Sequence, residues 1–215
     1  MVKRPGSKKR LFQKKSSLPT LLQEKRAKEQ GYRCIAGIDE AGRGPLAGPV
    51  VAACVVLKRF DFTAKIDDSK RLTPLSRQKG YKQIIEKAHV GIGIVLEDTI
   101  EDINIKNATI LAMEQAFFNL PVLPDLLLID GILKLNLPIR QICIVRGDQK
   151  SLSIASASIV AKVTRDRLMA FYDRLFPEYG FATHKGYGTK AHFKTIKKHG
   201  LSPLHRESFC GKETL

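Results

Sequence analysis

The sequence predicts an α/β fold: a mixed β-sheet flanked by helices and completed by a C-terminal helical segment. Apolar runs of strand length recur at residues 34–38, 50–57, 90–96, 126–129 and 139–145, and stretches with helical spacing separate the later ones. The order is three strands, then helix, strand, strand, helix, which suits one sheet with both antiparallel and parallel neighbours. At 215 residues the chain makes one domain with appendages, long enough to bury a real core.

Taken in order, residues 1–19 hold Lys3, Arg4, Lys8, Lys9, Arg10, Lys14 and Lys15 and no acid. They have too little apolar surface to order themselves and read as a flexible basic arm. Thr20–Gln30 reads as a short charged helix ended by Gly31, so the chain divides into an arm with a short helix, 1–30, and a main domain, 31–215. Strands 34–38 and 50–57 lie close enough to pair as an antiparallel ribbon. Asp67–Pro74 is a polar loop, followed by a helix from Leu75 to Ala88. Val90–Leu96 alternates as a third strand, weakened by Gly91 and Gly93. Asn104–Asn119 places Ile105, Ala108, Leu111, Ala112 and Ala116 near one helical face. Leu126–Ile129 and Ile139–Val145 are buried strands that end at Asp130–Gly131 and Arg146–Gly147–Asp148. A long helix runs from Ser151 to Leu175 with Leu152, Ala155, Ile159 and Val163 inward, and Pro177 stops it. Thr183–Thr189 is a loop, and a basic helix then runs to His199, closed by Gly200.

Charge narrows the partners. The net +16 points to a polyanion, nucleic acid before membrane, because no basic amphipathic helix with an aromatic face stands out. Residues 1–30 carry ten Lys/Arg and two Glu, a net +8, so the other 185 residues carry the remaining +8. No apolar run approaches a membrane span, and no apolar segment follows the basic N-terminus as a secretory signal would require. The cysteines Cys34, Cys54, Cys143 and Cys210 are scattered. They read as small buried hydrophobes in a reducing, cytoplasmic compartment, not as a zinc set or a disulfide framework.

The chemistry gathers at Gly37–Ile38–Asp39–Glu40–Ala41–Gly42–Arg43–Gly44–Pro45–Leu46–Ala47–Gly48–Pro49. Two adjacent carboxylates leave an apolar strand and enter a loop of glycine and proline. Desolvated carboxylates need a cation nearby, and glycines let a backbone approach a ligand closely. A solvated turn is the plainer reading of the two acids alone, and the partners further along the chain raise the functional one. Asp130 and Asp148 each follow a strand, and ligand sites in open α/β sheets lie beyond strand ends, so Asp39, Glu40, Asp130 and Asp148 can converge. Four carboxylates in one place require divalent cations, and oxygen-only ligands suit Mg²⁺ or Mn²⁺. Neighbouring strand residues point to opposite faces, so Asp39 and Glu40 share a site only where the strand twists or bulges, or where the ions lie past its edge.

These strings together resemble the type II ribonucleases H, the bacterial ribonuclease HII family. The resemblance spans nearly everything from Ile35 to Phe209: Gly37–Pro49, Asp68–Thr73, Leu128–Gly131, Gly147–Asp166, His184–Thr189 and Pro203–Phe209. It implies a ribonuclease H-like fold for the catalytic domain. It also implies endonucleolytic cutting of RNA paired with DNA, ribonucleotides embedded in duplex DNA included, by an enzyme expected to work as a monomer. By position Asp39, Glu40, Asp130 and Asp148 become the four catalytic acids and metal ligands, holding two Mg²⁺ or Mn²⁺ in the reacting complex. Gly42–Arg43–Gly44 matches the loop that senses the 2′-hydroxyl, and Tyr187 the tyrosine that stacks at the RNA–DNA junction. Lys70 and Lys162 match positions that meet phosphates. The physics agrees: the 2′-hydroxyl alone marks RNA at a given site, and an aromatic ring in a glycine-flanked loop can stack on a sugar or base.

The chain departs from that pattern in its long basic arm, in Arg146 where lysine is expected, and in Ser156 within an alanine run. His184, His192, His199 and His205 lack the i, i+4 spacing of a helical zinc site and read as surface or phosphate-contacting residues. Glu97, Asp98, Glu101 and Asp102 read as a solvated strand-to-helix junction. The competing class is a non-catalytic nucleic-acid-binding module. The charge serves both readings, but a pure binder of a polyanion gains nothing from four carboxylates in its groove.

Overall fold

The computed structural model describes residues 18–211. The expected basic arm falls almost wholly outside them. Helix α1 (Leu22–Glu29) leads into strand β1 (Ile35–Ala41), which turns back as β2 (Val50–Leu57). Helix α2 (Pro74–Lys87) follows, with Pro74 in its first turn and the Thr73 hydroxyl accepting from the Ser76 amide as cap. Then come β3 (Ala88–Val95), α3 (Glu97–Phe118), β4 (Leu126–Asp130), β5 (Arg140–Ile144) and α4 (Leu152–Leu175), which is capped by Ser151. The short α5 (Phe181–His184) and the basic α6 (Lys190–His199) close the chain.

The five strands form one sheet in the order β3-β2-β1-β4-β5. β1, β2 and β3 pair antiparallel, and β1, β4 and β5 pair parallel. Both faces are covered, which is why β2 is apolar along its whole length. Ala36, Ile38, Ala52, Cys54, Leu127 and Ile129 pack against Ala108, Ala112, Met113 and Ala116 of α3. Ala53 and Val55 pack against Ala155, Ile159 and Val160 of α4 and Ile84 of α2.

Several local readings change. The strand expected at 34–38 runs on through Asp39, Glu40 and Ala41, so both acids sit in the ladder rather than in the loop beyond it. Gly91 and Gly93 do not weaken β3; a Cβ on either would stand about 2 Å from the Ala116 or Ala112 carbonyl, so glycine is what lets α3 lie on the strand. The helix expected from Asn104 is there, but another turn precedes it. Asn104 breaks α3 with φ 64°, and its side-chain oxygen accepts from the Lys106 and Asn107 amides as a cap for the second part. The acids Glu97–Asp102 therefore lie in a helix, and Glu97 is buried with one carboxylate oxygen unpartnered among the described residues, whereas Asp98, Glu101 and Asp102 are exposed as expected. Cys54 and Cys210 are buried and Cys34 half-buried, but the strand expected to be buried at 139–145 is the edge strand β5, none of whose residues is buried, and Cys143 is exposed on it.

Helix α1 is docked on this body. Ala27 joins Ile35, Leu126, Leu128 and Ile154 in a small apolar cluster. Buried Glu24 accepts from the Ser151 hydroxyl and from the Ser153 amide and hydroxyl. Among the described residues no helix is long and apolar enough to cross a membrane.

Candidate active site

The parallel register of β1 and β4 pairs Ile38 with Ile129, which sets Asp39 on the next rung beside Asp130, the last residue of β4. The ladder has no bulge there: Asp39 pairs with Ala53 and Glu40 with Ala52, so the two side chains leave opposite faces of β1. A bulge is thus not what brings them to one site. Asp39 is buried, and burial, then Glu40, then Asp130 raise its carboxyl well above the usual range, against the pull of the Ser158 hydroxyl and the Glu40 amide. Burial also raises Glu40, although Arg43 at 3.3 Å opposes it. Asp130 accepts a 2.6 Å hydrogen bond from the Gly147 amide, which ties the end of β4 to the single 3-10 turn Gly147–Gln149 that carries Asp148. Burial first, then Asp130 and Asp68, push Asp148 up to about 6.

Asp68 is a residue the sequence reading passed over although its motif stood out. It is buried, accepts from the Lys70 amide and the Gln149 side chain, and sits beside Asp148. Its signal was there, an Asp-Asp pair opening a polar loop. Burial acts to lower the Lys70 ammonium, and Asp39, Asp68 and Asp148 outweigh it and raise the group.

Every residue expected to meet substrate lines one groove of about 460 Å³: Gly42, Arg43, Gly44, Lys70, Lys162 and Tyr187, with Glu40 at its acidic end. The two loop glycines serve different ends. Gly42 has φ +99°, and a Cβ on it would stand 2.2 Å from the Arg165 side chain, whereas a Cβ on Gly44 would meet nothing within 4 Å. Gly44 faces open groove. Tyr187 is 42% exposed, its ring 5.9 Å from both the Lys162 ammonium and the Arg165 guanidinium. Lys162 is held by Asp166 at 2.6 Å, and burial nevertheless lowers it.

The histidines need correcting. His192 and His205 are not surface residues; they are buried, and their Nε2 atoms lie 3.0 Å apart. The Ser202 amide donates to His205 Nδ1, so His205 carries its proton on Nε2 and donates it to His192, whose Nδ1–H donates to the Tyr187 carbonyl. His184, half-buried, accepts from the Gly186 amide and stacks on His192 with ring centres 4.1 Å apart. Three imidazoles thus brace the loop that carries Tyr187, and only His199 is exposed.

Asp39, Glu40, Asp130 and Asp148 offer oxygen donors only, the set a hard divalent cation prefers. Three of them are raised by burial and by neighbouring acids, the mark of a negative cluster short of positive charge. Among the described residues no three acid, histidine or cysteine side chains already close on one point as a cage. The donor chemistry fits such an ion.

A mixed sheet with acids on adjacent parallel strands, beside a glycine loop, matches the ribonuclease H class of hydrolases, and solved structures share the fold. The ribonuclease H2 structure from Pyrococcus horikoshii OT3 matches with a TM-score of 0.70 at 25% identity, over 82% of this chain and 93% of that one. Bst-RNase HIII in complex with Mn²⁺ matches at 0.61 and 19% identity, over 85% and 66%, a likeness of fold. In sequence, the Ribonuclease HII family model matches residues 36–212. Ribonuclease HII of Acetivibrio thermocellus is 54% identical over 193 residues, 89% of this chain and 75% of its own length. The chain belongs to the ribonuclease HII family.

Proposed function

We propose that this ribonuclease H cleaves the RNA strand of RNA–DNA hybrids and cuts at ribonucleotides embedded in duplex DNA, by divalent-metal-dependent phosphodiester hydrolysis, acting as a cytoplasmic monomer. The observation that carries this reading is the groove in which Glu40, Gly42–Gly44, Lys70, Lys162 and Tyr187 share one surface.

Asp39, Glu40, Asp130 and Asp148 would hold the metal, and two Mg²⁺ or Mn²⁺ ions there would supply the charge for activating a water and steadying the leaving oxygen. Lys70, kept charged by the surrounding acids, meets the scissile phosphate and balances its approach to them. The backbone of Gly42–Arg43–Gly44 meets the 2′-hydroxyl, and the open face of Gly44 lets the sugar come close. Tyr187 stacks at the junction of ribose and deoxyribose, with Lys162 beside its ring toward the next phosphate.

Cleavage of a duplex with one ribonucleotide and of a long hybrid, each with and without Mg²⁺ or Mn²⁺, tests the reading. Cutting only in the presence of metal is expected. Tight binding without cutting in either metal would favour the non-catalytic binding module instead. Tyr187→Ala should cost cleavage at the lone ribonucleotide about 1–3 kcal/mol and leave affinity for an all-DNA duplex nearly intact, since phosphate contacts carry most binding.

A further inference from the structure

The two largest fully buried side chains of the molecule are Arg165 and Arg206, and their hydrogen-bond partners are all backbone carbonyls. A buried guanidinium is costly unless its rigid fork of five donors is met, and here one loop meets it. Arg206 donates to the carbonyls of Gly42, Arg43, Pro45 and Gly48, and its own amide donates to Leu46. Arg165 donates to Ala47, Pro49 and Lys185. Of the eight carbonyls from Gly42 to Pro49, the two arginines therefore hold seven, all except that of Gly44. The Leu46 amide donates to the Gly186 carbonyl, and Arg165 holds the neighbouring Lys185 carbonyl, so one framework joins both walls of the groove. The Arg206 guanidinium also lies over the Phe209 ring, 5.2 Å from its centre. Burial and then Arg165 pull Arg206 down to about 10, which leaves it charged at neutral pH, with Glu97 the acid that opposes the shift most.

We propose that Arg206, with Arg165 beside it, is a positioning residue for hydroxyl recognition: it clamps the Gly42–Arg43–Gly44 backbone in the arrangement that distinguishes a ribonucleotide from a deoxyribonucleotide. The inference rests on the reading of that loop as the hydroxyl sensor. A ribose differs from a deoxyribose by one hydroxyl, so a backbone that reads it discriminates only while its donors and acceptors stay within a few tenths of an ångström of their places. A lysine keeps the charge and most of the stem of arginine but loses the fork, and its three donors cannot satisfy four carbonyls at once.

The test uses the full chain and two duplexes of one sequence, with and without a single ribonucleotide. Affinities are measured in Ca²⁺, and kcat and KM in Mg²⁺ and Mn²⁺. Arg206→Lys should lower the ribonucleotide-to-DNA affinity ratio by about tenfold, the loss of roughly one hydrogen bond, while affinity for the all-DNA duplex stays within about twofold. Phe209→Leu leaves every hydrogen bond of the clamp in place and should lower the ratio by a smaller factor, which keeps the test alive if Arg206→Lys fails to fold. Millimolar guanidinium added to Arg206→Ala should restore part of the ratio. Folded variants with the parent's ratio, or with equal losses on both duplexes, would overturn the clamp while leaving the loop's role standing. A parent protein with no preference for the ribonucleotide duplex would overturn the reading of the loop, and the clamp with it.

Discussion

Asp39, inside β1, stands beside Asp130, the last residue of the parallel strand β4, one rung beyond the Ile38–Ile129 pair. Each is an acid where the preceding rung is fully buried and apolar, and the charge of Asp130 is among the causes that raise Asp39. The sheet register thus concentrates negative charge at one end of an otherwise apolar interior, which costs stability and makes sense as a place for a cation.

Asp39→Asn is expected to lower cleavage at saturating substrate by more than about a hundredfold in Mg²⁺ and Mn²⁺. Hybrid binding in Ca²⁺ or without metal should survive. The metal-free variant should also melt higher than the parent, because a neutral isostere replaces a buried carboxylate; each kcal/mol gained corresponds to about 2–4 °C at this size. Single-turnover rates, a binding isotherm and a melting curve check the three parts, and activity within tenfold of the parent would remove Asp39 from the metal site.

The two glycines of the recognition loop should separate stability from function. Gly42→Ala forces a Cβ into Arg165 at a positive φ and should cost about 2–3 kcal/mol of stability. Gly44→Ala meets no protein atom and should change stability by less than about 0.5 kcal/mol, yet slow cleavage at an embedded ribonucleotide. Denaturant melts beside cleavage rates decide it; a fully active Gly44→Ala would mean that the sugar does not approach there.

The histidine pair gives the fold a pH dependence of known sign. Burial lowers both His192 and His205 to about 4 from 6.5. Between those values the two imidazoles bind more protons in the unfolded chain than in the folded one, so their contribution to stability is full above about 6.5 and is lost as pH drops toward about 4. Asp148, raised to about 6, contributes with the opposite sign in the same window, so the measure is a difference: equilibrium melts of the parent and of the paired substitution His192→Asn with His205→Gln should differ in slope by an amount approaching two protons. An unchanged slope would place the acid sensitivity elsewhere.

The arm is expected to bear on affinity alone. Residues 1–17 hold seven Lys/Arg and no acid. If about half engage a duplex at once, deleting them should flatten the slope of log affinity against log salt by about 3 units, equally for DNA and hybrid. Turnover at saturation should hardly change. Salt series on the full chain and on a version starting at Leu18 measure both quantities; identical slopes would leave the arm without a binding role.

By itself the sequence determined the strands, the mixed sheet, and which side chains share the groove. Those features are written locally, in apolar runs and glycine loops, or in motifs long enough to carry a resemblance. Only the tertiary structure decided the fate of the isolated polar residues. Arg165, Arg206, His192, His205 and Glu97 look like surface residues in the chain because a charged or polar type is exposed unless partners bury it. Those partners are remote: the carbonyls that hold Arg206 lie 158 to 164 positions away, and those that satisfy Arg165 in the same loop lie 116 and 118 away. No window of sequence contains both ends of such a bond, so whether an arginine is solvated or clamps a backbone is settled when the sheet and its helices bring the two ends together.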